Sequence, residues 1–290
     1  MRRGFSLAEL MVALVIAGII GIALTRLVVN QARFMGDQQG RMMARASARA
    51  GFNAVVNELR NVTLGGVLQA HADSVTVRVP FAAGITCTQP SGGTQAILLE
   101  PYDSATFAAA TIRGYAWRDG AGTWHFEEPA TFGSGAATGD CTSLTPTIPF
   151  GISPATTITA SAAPPLGAFR VVRVSPNDPT ATAGEPVYLY QRIRYALAPS
   201  AELPGRTALW RSNLDAGTRD ELVAPFDTGS SFSFLVNNAM TAQTAVPAVL
   251  DSIRGFRLRL VGQSEDNPEG ETAPSHFTLT TDIVFINRAP

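Results

Sequence analysis

Apolar residues run almost unbroken from Phe5 to Val29, interrupted by charge only at Glu9 and Arg26. At ~1.5 Å of rise per residue, a helix of that length crosses a hydrocarbon core of ~30 Å. The helical signal then continues without proline as far as Leu64. Leu24, Val28, Ala32, Met35, Met42, Ala46 and Ala50 recur at spacings of three, four or seven, and Val56 and Leu59 resume the stripe. This pattern predicts one helix of roughly 90 Å over 5–64, whose second half packs on the following domain. Gly65-Gly66 supplies its stop.

Beyond Asn61 the chain breaks into short runs separated by Gly, Pro, Ser and Asp. Ser74–Val79 alternates apolar and polar residues, as a half-buried strand does, and Phe169–Val174 does so less strictly. Ile112–Trp117 and Thr123–Glu127 flank Arg118-Asp119-Gly120-Ala121-Gly122, a hairpin signal. Val187–Leu197 with Thr207–Ser212, and Ile253–Val261 with Phe277–Ile286, form two further candidate pairs; Ser231–Val236 adds a strand. The fold class expected is α+β: a long N-terminal helix spine packed on a mostly antiparallel β-sheet head.

Composition narrows the function. Of 290 residues, 46% are hydrophobic and 16% charged, which excludes a disordered chain. Net charge is −1, and residues 61–290 hold 14 Arg against 20 Asp plus Glu, so the head argues against a nucleic-acid partner. Residues 26–60 instead carry a net of +4. Arg41, Arg45 and Arg49 share one helical face there, a solvated face by default and otherwise suited to lipid phosphates or an acidic neighbour. Arg254, Arg257 and Arg259 leave a local basic patch open as a DNA contact, but they lie close to strand spacing, and cross-strand pairing is the plainer explanation.

No catalytic constellation emerges. His71, His125 and His276 are scattered, and no phosphate-binding loop, dinucleotide fingerprint or serine-nucleophile motif occurs. The chain reads as a non-enzyme without cofactor or metal site. Gly133-Ser134-Gly135 reads as a flexible turn. The acidic cluster Glu265, Asp266, Glu269 and Glu271 reads as a solvated hairpin tip, since its spacing matches no calcium loop.

Arg2 and Arg3 precede the apolar run, so the positive-inside tendency leaves the N-terminus cytoplasmic and sends the remainder outward. A removable signal peptide requires an uncharged core and a small-x-small cleavage site, and Ala23-Leu24-Thr25 is a poor one. A plain anchor explains the length but not Glu9, since a carboxylate in a bilayer costs about 2.5–3.5 kcal/mol.

Gly4-Phe5-Ser6-Leu7-Ala8-Glu9-Leu10 resembles the prepilin processing motif of type IV pilins and type II secretion pseudopilins. The resemblance implies cleavage by a prepilin peptidase between Gly4 and Phe5, and N-methylation of Phe5. Glu9 takes the place of the family's fifth-residue glutamate, which neutralises the new α-amine of a neighbouring subunit and sets the stagger between subunits. Major pilins usually carry a proline within the apolar segment, whereas the first proline here is Pro80. That departure points to a minor subunit.

Val187–Tyr195 followed by Ala208-Leu209-Trp210-Arg211-Ser212 is similar to a hairpin of PilW-type minor pilins and J-type minor pseudopilins. Trp210 and Arg211 have cross-strand pairing as their plainer explanation. The division implied is a leader at 1–4, a transmembrane and assembly half at 5–29, an amphipathic half at 30–64 and an extracytoplasmic head at 65–290.

The resemblance implies a noncatalytic minor pilin or pseudopilin in the inner membrane, passing after assembly into a pilus or pseudopilus near its tip. Its partners would be the peptidase, other pilins or pseudopilins, the inner-membrane assembly platform and the bilayer. The alternative from another class is a tip binding module, an adhesin or DNA-uptake subunit. Cys87 and Cys141 fall in the exported part, where a disulfide is expected. The bridge would close a loop of about 55 residues and contribute on the order of 4 kcal/mol.

Overall fold

The computed structural model describes residues 7–87, 95–99, 107, 110–134, 170–177, 180–237, 240–269 and 271–286. One helix, α1 (Leu7–Arg60), is followed by strands throughout, giving an α+β fold of the expected kind. The helix is 54 residues long, about 81 Å if straight. It ends four residues before the expected Leu64. Asn61 and Val62 close on the carbonyls of Glu58 and Leu59 with tighter bonds, and Gly66 N–H caps Thr63 C=O at 2.9 Å. The β-branched pair Val62-Thr63 favours leaving the helix there, and Gly65 takes the left-handed φ of 79° needed to turn away.

The strands are β1 (Val67–Ala70), β2 (Ser74–Thr86), β3 (Gln95–Leu99), β4 (Gly114–Arg118), β5 (Trp124–Glu127), β6 (Thr131–Ser134) and β7 (Arg170–Ser175). After them come β8 (Pro186–Pro199), β9 (Thr207–Asn213), β10 (Thr218–Phe226), β11 (Ser231–Val236), β12 (Thr241–Gln243), β13 (Ile253–Gln263) and β14 (His276–Val284). Their hydrogen-bonded order runs β12-β11-β13-β10-β9-β8-β2-β3-β7-β6, with β1 on β2, β14 on β13 and the β4–β5 hairpin on β8. All described pairings are antiparallel. The three expected hairpin pairs form: β4 with β5, β8 with β9, and β13 with β14.

Two expectations are corrected. Gly133 and Ser134 are not in a turn: they pair with Arg173 and Val172 as the end of β6. A short edge strand carries little apolar signal, so its glycine reads as loop. The second correction concerns the helical stripe. Met35 and Met42 are 72% and 63% exposed, and Ala46 and Ala50 are also exposed. The buried face is instead Gly40, Ala44, Ala48, Gly51, Val55 and Leu59, with Val56 half-buried.

Size explains that choice. The helix lies on β13, β14 and β10 so closely that backbone meets backbone. A Cβ on Gly262 of β13 would run into the Ala44 carbonyl, one on Gly51 would stand 2.7 Å from the Phe226 ring, and one on Gly40 would stand 2.9 Å from Ser275 Oγ. Only Gly and Ala fit this seat; bulkier apolar residues are turned outward. Further along, Val55 and Leu59 reach the main core, which includes Phe226, Phe232, Phe234, Phe256, Leu260 and Phe285. A second core, around Tyr115, Trp117, Ile97, Leu99 and Leu189, holds the far part of the sheet.

Polar contacts lock the same seat. Arg211 of β9 donates to both oxygens of Glu58, at 3.0 and 3.1 Å, and Tyr195 of β8 donates its hydroxyl to the same carboxylate. Burial, reinforced by that carboxylate, pushes the Tyr195 hydroxyl far above its ordinary range, so it remains a donor. Both Trp210 and Arg211 pair across strands, Trp210 opposite Glu221 and Ala196 and Arg211 opposite Asp220 and Tyr195, while the Arg211 side chain also serves the helix. The helix terminus is fastened by Ile286 N–H donating to the Arg60 carbonyl at 2.8 Å.

The close approach at Gly262 has a direct consequence. Gly262→Val is expected to lower stability of the full chain in detergent by about 1–3 kcal/mol or more, read from the urea midpoint. Gly133→Val, at a position with open space around it, serves as the control and is expected to change little. Equal midpoints for both variants would contradict the seat.

Candidate functional site

The head first meets the helix at Gly36 and Asp37, which are half-buried, and grips it firmly from Gly40 onward; every residue from Leu7 to Met35 is exposed. That projecting stretch carries Leu10, Leu14, Ile19, Ile22 and Leu27, each more than half exposed. The stretch is long and apolar enough to cross a membrane, and none of it is buried in the head. A surface of this size and chemistry is unfavourable in water. Lipid or the apolar helices of other subunits would supply its cover.

Within the projecting stretch the polar groups are few. Glu9 sits in the first turn of the helix, where a carboxylate is favoured by the helix dipole. Its side chain belongs to the exposed face rather than to the head. Thr25 donates its hydroxyl to the Gly21 carbonyl at 2.9 Å, which satisfies it inside an apolar segment. Gly18 and Gly21 have open space where a Cβ would stand, so no contact among the described residues explains them. Each weakens the helix by about 1 kcal/mol relative to Ala, and small residues at such positions let another helix approach closely.

The charged collar above this stretch belongs to the helix and to the β13–β14 loop. Arg41 pairs with Asp37 one turn away at 3.0 Å, an exposed contact of the kind worth a few tenths of a kcal/mol. Arg45 lies over the Phe277 ring at 5.0 Å. Arg49 is exposed on the same face. On the sheet, Arg257 donates to both oxygens of Asp282 at 2.7 and 2.9 Å, which is the cross-strand pair the spacing suggested. That contact holds the Asp282 carboxyl below its ordinary range. Arg254 reaches the Asp251 carbonyl, and Arg259 faces Thr280 in register.

The sequence-derived site residues are distributed as follows. Glu9 is on the exposed helix; Gly4, Phe5 and Cys141 lie outside the described residues. Cys87 is fully buried immediately after β2. The acidic residues Glu265, Asp266, Glu269 and Glu271 occupy the loop above the helix seat. Among the described residues no group of His, Cys, Asp and Glu is placed to hold a metal ion. Sequence reasoning missed the Glu58–Arg211–Tyr195 latch, because its members are separated by more than 130 positions between helix and strands. Glu58 as the lone acid in the last helical turns was the available signal.

Residues 1–25 match the family model of the prokaryotic N-terminal methylation motif. The match supports a type IV pilin or pseudopilin-like protein, and the motif implies processing by a prepilin peptidase and assembly with other pilins. With the apolar helix it indicates a membrane-anchored subunit of a generally structural class. No curated protein and no solved structure matches the chain at a significant level.

Proposed function

We propose that the chain is a minor pilin or minor pseudopilin, a noncatalytic subunit that enters a fibre through its N-terminal helix. The observation that carries this reading is the continuity of two features. The methylation motif at residues 1–25 leads directly into a helix whose residues 7–35 lie wholly outside the head. Such a helix is anchored in the inner membrane before assembly and packed among other helices afterwards. The leader is 1–4, the membrane and assembly half 5–29, the amphipathic half 30–64 and the extracytoplasmic head 65–290.

The physical role of Glu9 follows from the processing step. Cleavage after Gly4 creates a cationic α-amine on Phe5, which is then methylated. In an apolar surrounding this amine and a carboxylate are each costly alone, and pairing them between subunits removes much of both costs. The pair also sets the axial offset of one subunit against the next. Gly18 and Gly21 give the neighbouring helix room to approach.

A head of this size, repeated along a fibre, would crowd its neighbours. That favours a place at the tip, where the subunit primes assembly with other minor subunits, in either a type IV pilus or a type II secretion system. In the head, Cys87, which is buried, forms a disulfide with Cys141, as an oxidising compartment favours.

Two measurements test the reading. Glu9→Ala is expected to be processed normally and to fall at least tenfold in fibre incorporation, measured by immunoblot of sheared fibres; normal incorporation would overturn the pairing role. Alkylation of the unfolded, unreduced protein is expected to add no mass. Two adducts would show free thiols.

A further inference from the structure

We propose that the outer edge of β14 receives an extended backbone segment from a different pilin-class subunit, which adds to the sheet as a further strand. The inference rests on the pilin reading above and goes beyond it by locating a partner surface on the head.

The direction of the β14 backbone groups follows from two bonds at its ends. Ser264 N–H donates to the Ser275 carbonyl, and Phe285 N–H donates to the Arg254 carbonyl, each at 3.0 Å. These bonds set the phase of the ladder. Phe277, Leu279, Thr281 and Ile283 turn their N–H and C=O toward β13, opposite Gly262, Leu260, Leu258 and Phe256. His276, Thr278, Thr280, Asp282 and Val284 therefore turn five N–H and five C=O groups away from it. Among the described residues no strand pairs with that side. The chemistry that satisfies such a row is another extended backbone.

Compared with the other strands that have one partner, β14 stands apart. β1, β5 and β6 are four residues long and β12 is three. Short edges of that kind are ordinary protection against stray pairing. β14 has nine residues in unbroken register with β13, without bulge, proline, lysine or arginine. Its one charged side chain, Asp282, is held by Arg257 on the neighbouring strand. The edge thus lacks the devices that normally close one.

The anchor rules out one partner, a second copy joined through its own β14. β14 runs in the same direction as α1: Ser275 lies by Gly40 at one end, and Ile286 bonds Arg60 at the other. Two copies joined antiparallel along β14 would be related by a two-fold axis through the sheet, which reverses one helix relative to the other. Both could not then be anchored in one membrane with the same polarity. A different subunit standing beside this one, its helix parallel, can offer an extended segment to the edge. The start of β14 opens into a cleft of about 600 Å³ between Asp37, Arg41 and Arg45 on the helix and Glu271, His276 and Phe277 on the loop and strand. The cleft gives the added segment a polar route past the collar.

The test uses the full chain in its native membrane. A photo-crosslinking residue is placed singly at Thr278, Thr280 and Asp282, and at exposed Thr218 of β10 as control. Crosslinked peptides and the state of the leader are read from the same sample by mass spectrometry. Crosslinks expected from the three positions fall at two-residue steps along one segment of one other pilin-class subunit. Thr280→Pro, whose lost N–H points outward and so leaves the β13 ladder intact, is expected to cut the crosslink from Thr278 at least tenfold.

With the leader removed, absent or scattered crosslinks would overturn the added strand while leaving the pilin reading in place. Crosslinks to any segment of a second copy would overturn the choice of partner. An uncut leader would overturn the pilin reading itself. Should Thr280→Pro fail to fold, the stepwise pattern from the three crosslinking positions alone decides.

Discussion

The contact between the small residues of the helix and the glycine of β13 sets the geometry of the whole chain. Gly40, Ala44, Ala48 and Gly51 bring the α1 backbone down onto the sheet, and Gly262 leaves the Ala44 carbonyl room to lie against β13. A helix held by its backbone rather than by long side chains has little freedom to roll or slide. The Glu58 carboxylate, gripped by Arg211 and Tyr195, adds a directional stop, and the Arg60–Ile286 bond closes the end. The head is thereby fixed relative to the helix axis, and whatever direction the helix takes in membrane or fibre is passed to the head.

The same helix must suit two surroundings. Its C-terminal part meets the demands of a protein interior, with interlocking small residues, a satisfied carboxylate and large aromatics beyond. Its N-terminal part presents leucine, isoleucine and valine outward in every direction, and the head offers these residues no cover. Two glutamates mark the division. Glu58 is neutralised within the chain by groups of the head. Glu9 belongs to the apolar half, where the proposed partner is the new α-amine of the next subunit. On the proposed function, folding and assembly draw on separate halves of one helix.

Much of this was legible in the sequence, and the gaps have physical causes. The helix and the three hairpin pairs were visible because long apolar runs and alternation bounded by turn residues are local signals. β3 escaped notice because Gln95–Leu99 is buried throughout and does not alternate. β10 escaped because Arg219, Asp220, Glu221 and Pro225 disguise it. The docking face of the helix was displaced by two positions, onto Ala46 and Ala50 rather than Ala44 and Ala48. Periodicity ranks residues by apolarity, whereas this seat selects for absence of bulk, and only the sheet facing it reveals that. Gly4, Phe5 and Glu9 were legible for a different reason: they belong to a short N-terminal motif, matched at residues 1–25, whose pattern is linear and does not wait on folding.

The central claim is that one processed helix serves both head and assembly, and the state of the N-terminus tests it most directly. Intact mass and N-terminal sequencing of the protein from native membranes are predicted to find a chain that begins at N-methylated Phe5. A chain beginning at Met1, in cells that contain an active prepilin peptidase, would contradict the account and leave an anchored β domain without a role in a fibre.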